Sequence, residues 1–320
     1  MTKAKVLITG ATGFIGSHIT KAALDQQHEV AIIKRPSSDT SRLQDILDKV
    51  QAYNADLRDI RVVSEVLAHF KPQVIFHLAT YYAINHKPQD IAAMTDTNVL
   101  GTINLLEAAK EAKVSLFVNT SSCFVYKPAQ QKVTEESPVE PLNLYALTKV
   151  QAEEACAFYA KEYNLQCLTL RIFSPYGPAD HQRRLIPYII TTFLQKEGPQ
   201  MTTGKQQWDF VYVSDIVDAY MKILLRSDFD QGHTVFNIGS GEATSVRGIA
   251  ERLKEILGSD IEPVWGAMPH RSNELWFVCA DITKAKQFLG WEPQVRILEK
   301  GLPLTVQYYQ NFGGEKILSS

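Results

Sequence analysis

Six short apolar runs, Lys5 to Thr9, Glu29 to Ile33, Val50 to Tyr53, Val74 to Leu78, Leu116 to Thr120 and Cys167 to Ile172, alternate along the first half of the chain with longer segments of helical period. Strands separated by helices can lie side by side only if each connection crosses back over the sheet. The sheet is then parallel and its faces are covered by helices. Four intervening segments, GFIGSHITKAALDQ, DIRVVSEVLAHF, TNVLGTINLLEAAKEA and LYALTKVQAEEACAFYAKEY, are long enough to provide that cover. The predicted fold class is α/β, a doubly wound parallel sheet over residues 1–172 followed by a smaller mixed α/β lobe over residues 173–320. After Arg171 the texture changes to pieces punctuated by Pro and Gly, FSPYGPAD, QKEGPQMTTGKQ and MPHRSNE. WDFVYVSDIVDAYMKILL is apolar and periodic enough to return to the first lobe, so no clean linker is expected between the two.

A chain of 320 residues with 45% hydrophobic content can bury a full core. Its 33 basic and 35 acidic residues leave a net charge of −2 and form no basic stripe, which argues against nucleic acid or a membrane surface as the partner and for a small molecule. The N-terminus runs directly into a strand, and no apolar run reaches the roughly 18 residues of a membrane span, so a cytoplasmic protein is expected. Cys123, Cys156, Cys167 and Cys279 show no metal-ligand spacing and are expected to be reduced core or lining residues.

The first strand runs into VLITGATGFIGSHI, where Gly10, Gly13 and Gly16 fall at steps of three. A strand, a glycine turn and a helix starting near Phe14 bring bare backbone N–H groups and the positive end of a helix dipole to one point, which suits a pyrophosphate. The sheet is then of the Rossmann type with a dinucleotide as cofactor. The gap between the first two glycines is one residue longer than in the usual GxGxxG pattern. The second strand ends in Lys34 and Arg35, where an NAD site usually places an acid on the ribose hydroxyls. A basic pair attracts a 2′-phosphate instead. NADP(H) is therefore predicted, with Arg35 as its fork-shaped ligand, Ser37 or Ser38 as further donors, and NAD as the alternative. Asp56, in YNADLRD, is placed either to accept from the adenine amino group or to cap the next helix.

In LNLYALTKVQAEEA, Tyr145 and Lys149 are four apart and share one helix face. An ammonium beside a phenol lowers its pKa toward the range of a working acid/base group. In a chain with 13 tyrosines, about one such pair arises by chance, so its weight comes from its place after LFVNTSSCFVY, a strand ending in hydroxyls.

Together TGATGFIG, NADL, FHLAT, NVLGTINLLEAA, NTSSCFVY, YALTK and RIFSPYGP resemble the extended short-chain dehydrogenase/reductase family in its nucleotide-sugar epimerase and reductase branch. RRLIPYIITTFL, WDFVYVSDIVDAY, FNIGSGEATSV, RSNE and KAKQFLGWEP extend the resemblance to the C-terminal part, especially to CDP-abequose synthase-like 4-keto-sugar reductases. The resemblance implies Tyr145 as acid/base, Lys149 on the nicotinamide ribose and Ser122 on the reacting sugar oxygen. It implies Gly10, Gly13, Phe14 and Ile15, with Gly16 behind them, at the pyrophosphate, and Asp56 and Leu57 at the adenine. Leu78, Ala79 and Thr80 would lie along the middle of the cofactor, Asn98 would support the adjoining helix, and the segment from Phe173 would border the nicotinamide. On the substrate side it implies Ser122 and Cys123 at the sugar and Arg271 on the diphosphate.

The departures narrow the chemistry. Sugar 4,6-dehydratases carry Thr-Asp-Glu where this chain has Ser122-Cys123-Phe124, which leaves no acid or base for eliminating water. Trp208 stands where the branch commonly has a phosphate-binding arginine, and Ser174 where it often has asparagine. The expected activity is NADPH-dependent reduction of a nucleotide-linked 4-keto-(6-deoxy)sugar, with a nucleotide-diphosphate sugar as the partner. An NAD-dependent nucleotide-sugar 4-epimerase is the alternative. A redox regulator that binds NADP without catalysis is a second one, but it would have no use for Tyr145, Lys149 and Ser122 together. No metal is expected. The helical segments Asn98 to Ala112 and Leu144 to Tyr163 carry apolar residues, Leu105, Leu106, Ala155 and Phe158 among them, beyond what one sheet face needs. In this family the matching helices pair across a two-fold axis, so a homodimer is expected.

Overall fold

The computed structural model describes residues 3–226, 229, 231–271 and 273–316. Seven strands form one parallel sheet: β1 (Lys5–Thr9), β2 (Glu29–Lys34), β3 (Gln51–Asn54), β4 (Val74–His77), β5 (Leu116–Ser122), β6 (Cys167–Ile172) and, far along the chain, a strand at His233–Ile238. The spatial order is His233–Ile238, β6, β5, β4, β1, β2, β3, so the direction of winding reverses beside β1.

The inner strands, β1 and β2 above all, are continuous apolar runs because both faces are buried, whereas the edge strand β3 is largely exposed. Val6 and Ile8 of β1 point to one face, against α1 (Phe14–Asp25), and Leu7 points to the other. That opposite face is covered by α2 (Ile60–Phe70), α4 (Gly101–Glu111) and α5 (Leu144–Tyr163). Each fully buried Leu, Ile or Phe contributes roughly 1.5–3 kcal/mol, so the two faces carry most of the stability. Helix ends are fixed locally. Asp59 caps α2 by accepting from Arg61 N (3.1 Å), and Asn143 caps α5 by accepting from Ala146 N (2.8 Å). α5 stops at Asn164, whose left-handed backbone (φ 54°) ends the helix.

The segment read as one helix from Thr97 begins inside a π-helical stretch, Asp96–Leu100, that follows a short α3 (Asp90–Thr95) and runs on into α4. The wide turn presents Asn98 toward Thr80 and Thr148, which a regular α-helix through this point need not do.

Beyond β6 the chain makes β7 (Pro175–Tyr176), α6 (Leu185–Leu194), β8 (Gln200–Met201), β9 (Gln207–Asp209) and β10 (Val211–Tyr212). It returns to the main sheet with α7 (Val213–Leu224), which packs on α1, and with β11, the strand His233–Ile238. It leaves again as β12 (Ala243–Ser245), α8 (Val246–Leu257), β13 (Val264–Trp265), β14 (Phe277–Val278), α9 (Thr283–Leu289) and α10 (Leu302–Lys316). Among these, α6, α8 and α10 enclose a second core around Ile189, Ile190, Ile249, Leu253 and Leu302.

Leu105 and Leu106, taken from the sequence as surplus apolar residues, are instead completely buried against the sheet. The large apolar residues left outside on α4 and α5 are Ile103, Leu147, Phe158 and Tyr163, Phe158 being 53% exposed. Among the described residues no helix is long and apolar enough to cross a membrane.

His77, at the tip of β4, is wholly enclosed. Thr102 gives its own hydroxyl proton to the Asn98 carbonyl (2.6 Å), so His77 Nε2–H donates to Thr102 Oγ1 (2.9 Å) and Nδ1 accepts from Thr9 Oγ1 (2.7 Å). Burial, and then the Lys149 charge, push the imidazole from 6.5 down to about 3. Between those values the unfolded chain binds the proton and the folded chain does not. Stability that is complete above pH 6.5 is therefore lost as the pH falls, at up to about 1.4 kcal/mol per unit. His77→Gln removes that dependence. In urea unfolding between pH 7 and pH 4 the stability gap between wild type and variant narrows as the pH falls; a constant gap contradicts the assignment.

Candidate active site

The carboxyl ends of the parallel strands open into a cleft of about 1160 Å³ that continues between the two lobes. Its floor is the β1–α1 turn. Gly10 has φ +70°, and a Cβ there would lie 2.6 Å from the backbone of Leu78 and Ala79, so only glycine lets the tips of β1 and β4 meet. Gly16 is packed against the Gly10 carbonyl with no space for a side chain. Gly13 N donates to Gly10 O (3.0 Å), and Gly13, as the cap of α1, offers no side chain to its first amides. Bare N–H groups at the positive end of a 12-residue helix suit a dinucleotide pyrophosphate, and Phe14 and Ile15 line the same stretch.

At the outer end the cleft is bounded by Lys34, Arg35, Ser38 and Arg42. Lys34 Nζ donates to Asn54 Oδ1 (2.7 Å), and Arg35 N donates to Ser38 Oγ (3.1 Å), so the loop is folded with both cations beside the cleft. Asp56 and Leu57 line this end as well. Asp56 does not cap α2, a place taken by Asp59. The Arg58 guanidinium grips its carboxylate through two bonds (2.9 and 2.7 Å) and holds it below the ordinary carboxylate range.

Leu78, Ala79 and Thr80 form the middle wall. Asn98 stands behind it and outside the cleft. Its Oδ1 accepts from Thr80 Oγ1 (3.0 Å) and Tyr81 N (2.7 Å), while Nδ2 donates to Tyr81 O and Thr148 Oγ1 (both 3.0 Å). One amide therefore ties the wall to α5.

At the inner end Ser122, Tyr145 and Lys149 line the cleft together. Lys149 Nζ donates to Thr120 O (2.9 Å) and lies 5.9 Å from the centre of the Tyr145 ring. Burial pushes the Tyr145 phenol well above its ordinary value, with Tyr82 and Cys123 adding to the rise and Arg184 and Ser122 opposing it. The sequence pattern leads one to expect Lys149 to lower this phenol. In the folded protein burial outweighs the cations, and the phenol is held in its proton-donating form. Burial likewise brings the Lys149 ammonium down to about 8. The Cys123 thiol, also at the cleft, is pushed up to about 12 and stays protonated.

Phe173 is not in the cleft. Extended backbone alternates, so Ile172 and Ser174 face the cleft while Phe173 is buried beneath it against Tyr126, 6.3 Å between ring centres. Trp208 both packs and lines: its Nε1 donates to Leu275 O (2.8 Å), it stacks on Phe210, and one face borders the cleft. Arg271 lines the same lobe, its backbone N donating to Glu274 Oε2 (3.1 Å).

Several lining residues lie outside the sequence expectations, Arg42, Tyr82, Asp180 and Arg184 among them. Tyr82 sets its ring edge-on to Tyr145 at 4.9 Å. Arg184 pairs with the buried Asp180 carboxylate (3.3 Å) and donates to Pro175 O (3.3 Å). Burial raises Asp180 to about 6 against the pull of Arg184. They come from loops with no periodic pattern. The one sequence signal was the double arginine before LIPYII. Among the described residues, no group of three His, Cys, Asp or Glu could hold a metal ion.

A model of the NAD dependent epimerase/dehydratase family matches residues 6–239. The UDP-glucose 4-epimerase of Mycolicibacterium smegmatis is 33% identical over 96% of this chain and 99% of its own length. The CDP-abequose synthase of Salmonella typhimurium is 30% identical over 91% and 94%. In structure the chain is similar to the UDP-glucuronic acid 4-epimerase of Bacillus cereus in complex with UDP-glucuronic acid and NAD. That likeness has a TM-score of 0.86 at 28% identity and covers 96% of this chain and 99% of that one. The glycine floor, the strand order and the matched family agree: this chain belongs to the NAD dependent epimerase/dehydratase family, as an enzyme that uses a nicotinamide dinucleotide.

Proposed function

We propose that this enzyme reduces a nucleotide-linked 4-keto-(6-deoxy)sugar with NADPH. The observation that carries this reading is the charge at the outer end of the cleft. Lys34, Arg35 and Arg42 line it, and the nearby carboxylate, Asp56, is already held by Arg58. A 2′-phosphate fits there, and a ribose diol finds no free acid. The bound dihydronicotinamide supplies a hydride. Gly10, Gly13, Gly16, Phe14 and Ile15 hold the pyrophosphate, Asp56 and Leu57 border the adenine, and Leu78, Ala79 and Thr80 border the middle. Lys149 holds the ribose hydroxyls. Ser122 donates a hydrogen bond to the keto oxygen, and Tyr145, whose phenol burial keeps protonated, gives that oxygen its proton. Arg271 takes the substrate diphosphate, and Cys123, Ser174 and Trp208 border the sugar and nucleotide.

A second reading, 4-epimerisation with retained cofactor, is favoured by the similarity to UDP-glucose 4-epimerases. The same tyrosine would then first accept the proton and later return it. We also propose a homodimer through the outer faces of α4 and α5, where Ile103, Leu147 and Phe158 are exposed. Leu147→Glu with Phe158→Glu is expected to give a monomer in sedimentation; a wild type that is already monomeric excludes the dimer.

Incubation with a CDP- or dTDP-4-keto-6-deoxysugar is expected to consume NADPH in preference to NADH. Interconversion of two hydroxyl sugars without NADPH consumption would favour the epimerase instead. Arg35→Ala is expected to cut the NADPH over NADH preference about tenfold, the worth of one charge-assisted bond; an unchanged ratio removes Arg35 from the phosphate site. Tyr145→Phe should lower turnover by roughly 10²–10⁴ while the cofactor Kd moves less than about twofold. Unchanged turnover would discard the acid/base assignment.

A further inference from the structure

Tyr145, Lys149 and Glu153 follow one another at four-residue steps and so lie along one face of α5. Tyr145 and Lys149 reach the cleft; Glu153 does not. It is 6% exposed and turned into a buried pocket, where Arg171 of β6 grips it. Arg171 Nη2 donates to Glu153 Oε2 (2.6 Å), and its Nε lies within bonding distance of both oxygens (3.1 and 3.2 Å). The guanidinium is fixed in turn by the Glu135 carbonyl (3.3 Å) and by the Tyr126 ring, 4.7 Å from its centre. Tyr126 OH donates to Asn237 Oδ1 (2.6 Å). The carboxylate has no freedom to swing toward Lys149, and it is the nearby anion that acts on that lysine.

We infer that Glu153, locked by the Arg171 fork, is a positioning residue whose fixed negative charge keeps the buried Lys149 ammonium ionised while leaving its Nζ free to point at the cleft. A direct Lys149–Glu153 ion pair would hold the ammonium away from the Thr120 carbonyl and the cleft; an anion one turn along α5 that is held by Arg171 stabilises the charge without claiming the proton donors. The other groups around Lys149 do not substitute for it. His77 of β4 is neutral, the Cys156 thiol of α5 is pushed far above its ordinary value by burial, Tyr145 is protonated, and β5 offers only the Thr120 carbonyl dipole. The inference rests on the reading of Tyr145 and Lys149 as the proton-transfer pair and holds for reduction and epimerisation alike.

The test is the titration midpoint of Lys149, read from its 13Cε resonance in cofactor-free enzyme labelled with 13C-lysine and assigned with Lys149→Met. In Glu153→Gln the midpoint is expected to fall by about one pH unit or more, with the alkaline limb of the kcat/KM profile moving the same way. The double variant Glu153→Gln, Arg171→Met removes the oppositely charged partner as well and should show a smaller fall in the same direction, so a rise or an unmoved midpoint in that variant overturns the inference even if the single variant fails to fold. A folded variant with lowered Tm and an unmoved Lys149 midpoint overturns the inference. A moved midpoint in an enzyme that does not consume NADPH leaves it standing and removes only the reductase reading.

Discussion

The backbone of Gly10 lies directly against that of Leu78 and Ala79, closer than any side chain allows. This contact joins the tips of β1 and β4 at the place where the winding of the sheet reverses, and it sets the floor of the cleft. The uncapped first turn of α1 then opens onto that floor, Thr80 and Asn98 continue it as a wall, and the wall is bonded to Thr148 on α5. Tyr145 and Lys149 stand on the same helix. A continuous run of short contacts thus links the open first turn of α1 to the helix that carries Tyr145 and Lys149, and a displacement of Gly10 would be felt at both ends.

Burial decides the electrostatics of the inner end. Tyr145 and Lys149 are both withdrawn from water, and in each case withdrawal favours the neutral form. A phenol held protonated is suited to giving a proton to a developing alkoxide. A lysine poised near 8 needs a fixed anion to remain charged at neutral pH, and the buried Glu153–Arg171 pair supplies one without crowding the cleft. Such a pair is costly to bury, and replacing it with apolar residues is often neutral for stability, which is consistent with a role in tuning rather than in holding the fold.

The parallel sheet was legible because its strands are apolar runs separated by periodic helices, and six of the seven were visible in that way. HTVFNI, which forms β11, is short, lies beyond the irregular segments, and joins the sheet only through pairing with β6, information no local pattern carries. The glycine turn, the basic pair and the Tyr–Lys spacing were legible because backbone clearance, charge and helical period are local properties. Phe173 was misplaced because the alternation of extended backbone is set by the register of Ile172 in the sheet. Tyr82 was invisible, and Arg184 was marked only by the double arginine before LIPYII, because loops bring them to Tyr145 from distant parts of the chain. Lys149, joined by an oxidised nicotinamide, was expected to lower the phenol, and the depth of its burial, which pushes it the other way in the protein by itself, cannot be read from spacing.

The central claim is that a hydride passes from the cofactor to a keto carbon of the sugar while Tyr145 protonates its oxygen. NADPH deuterated on the transferring face of C4 tests it most directly, with the nucleotide-sugar product examined by mass spectrometry and NMR. The account predicts one deuterium per product molecule, on the carbon that bears the new hydroxyl, with one NADP+ formed for each. A sugar product free of deuterium, with the labelled cofactor recovered unoxidised, would contradict it.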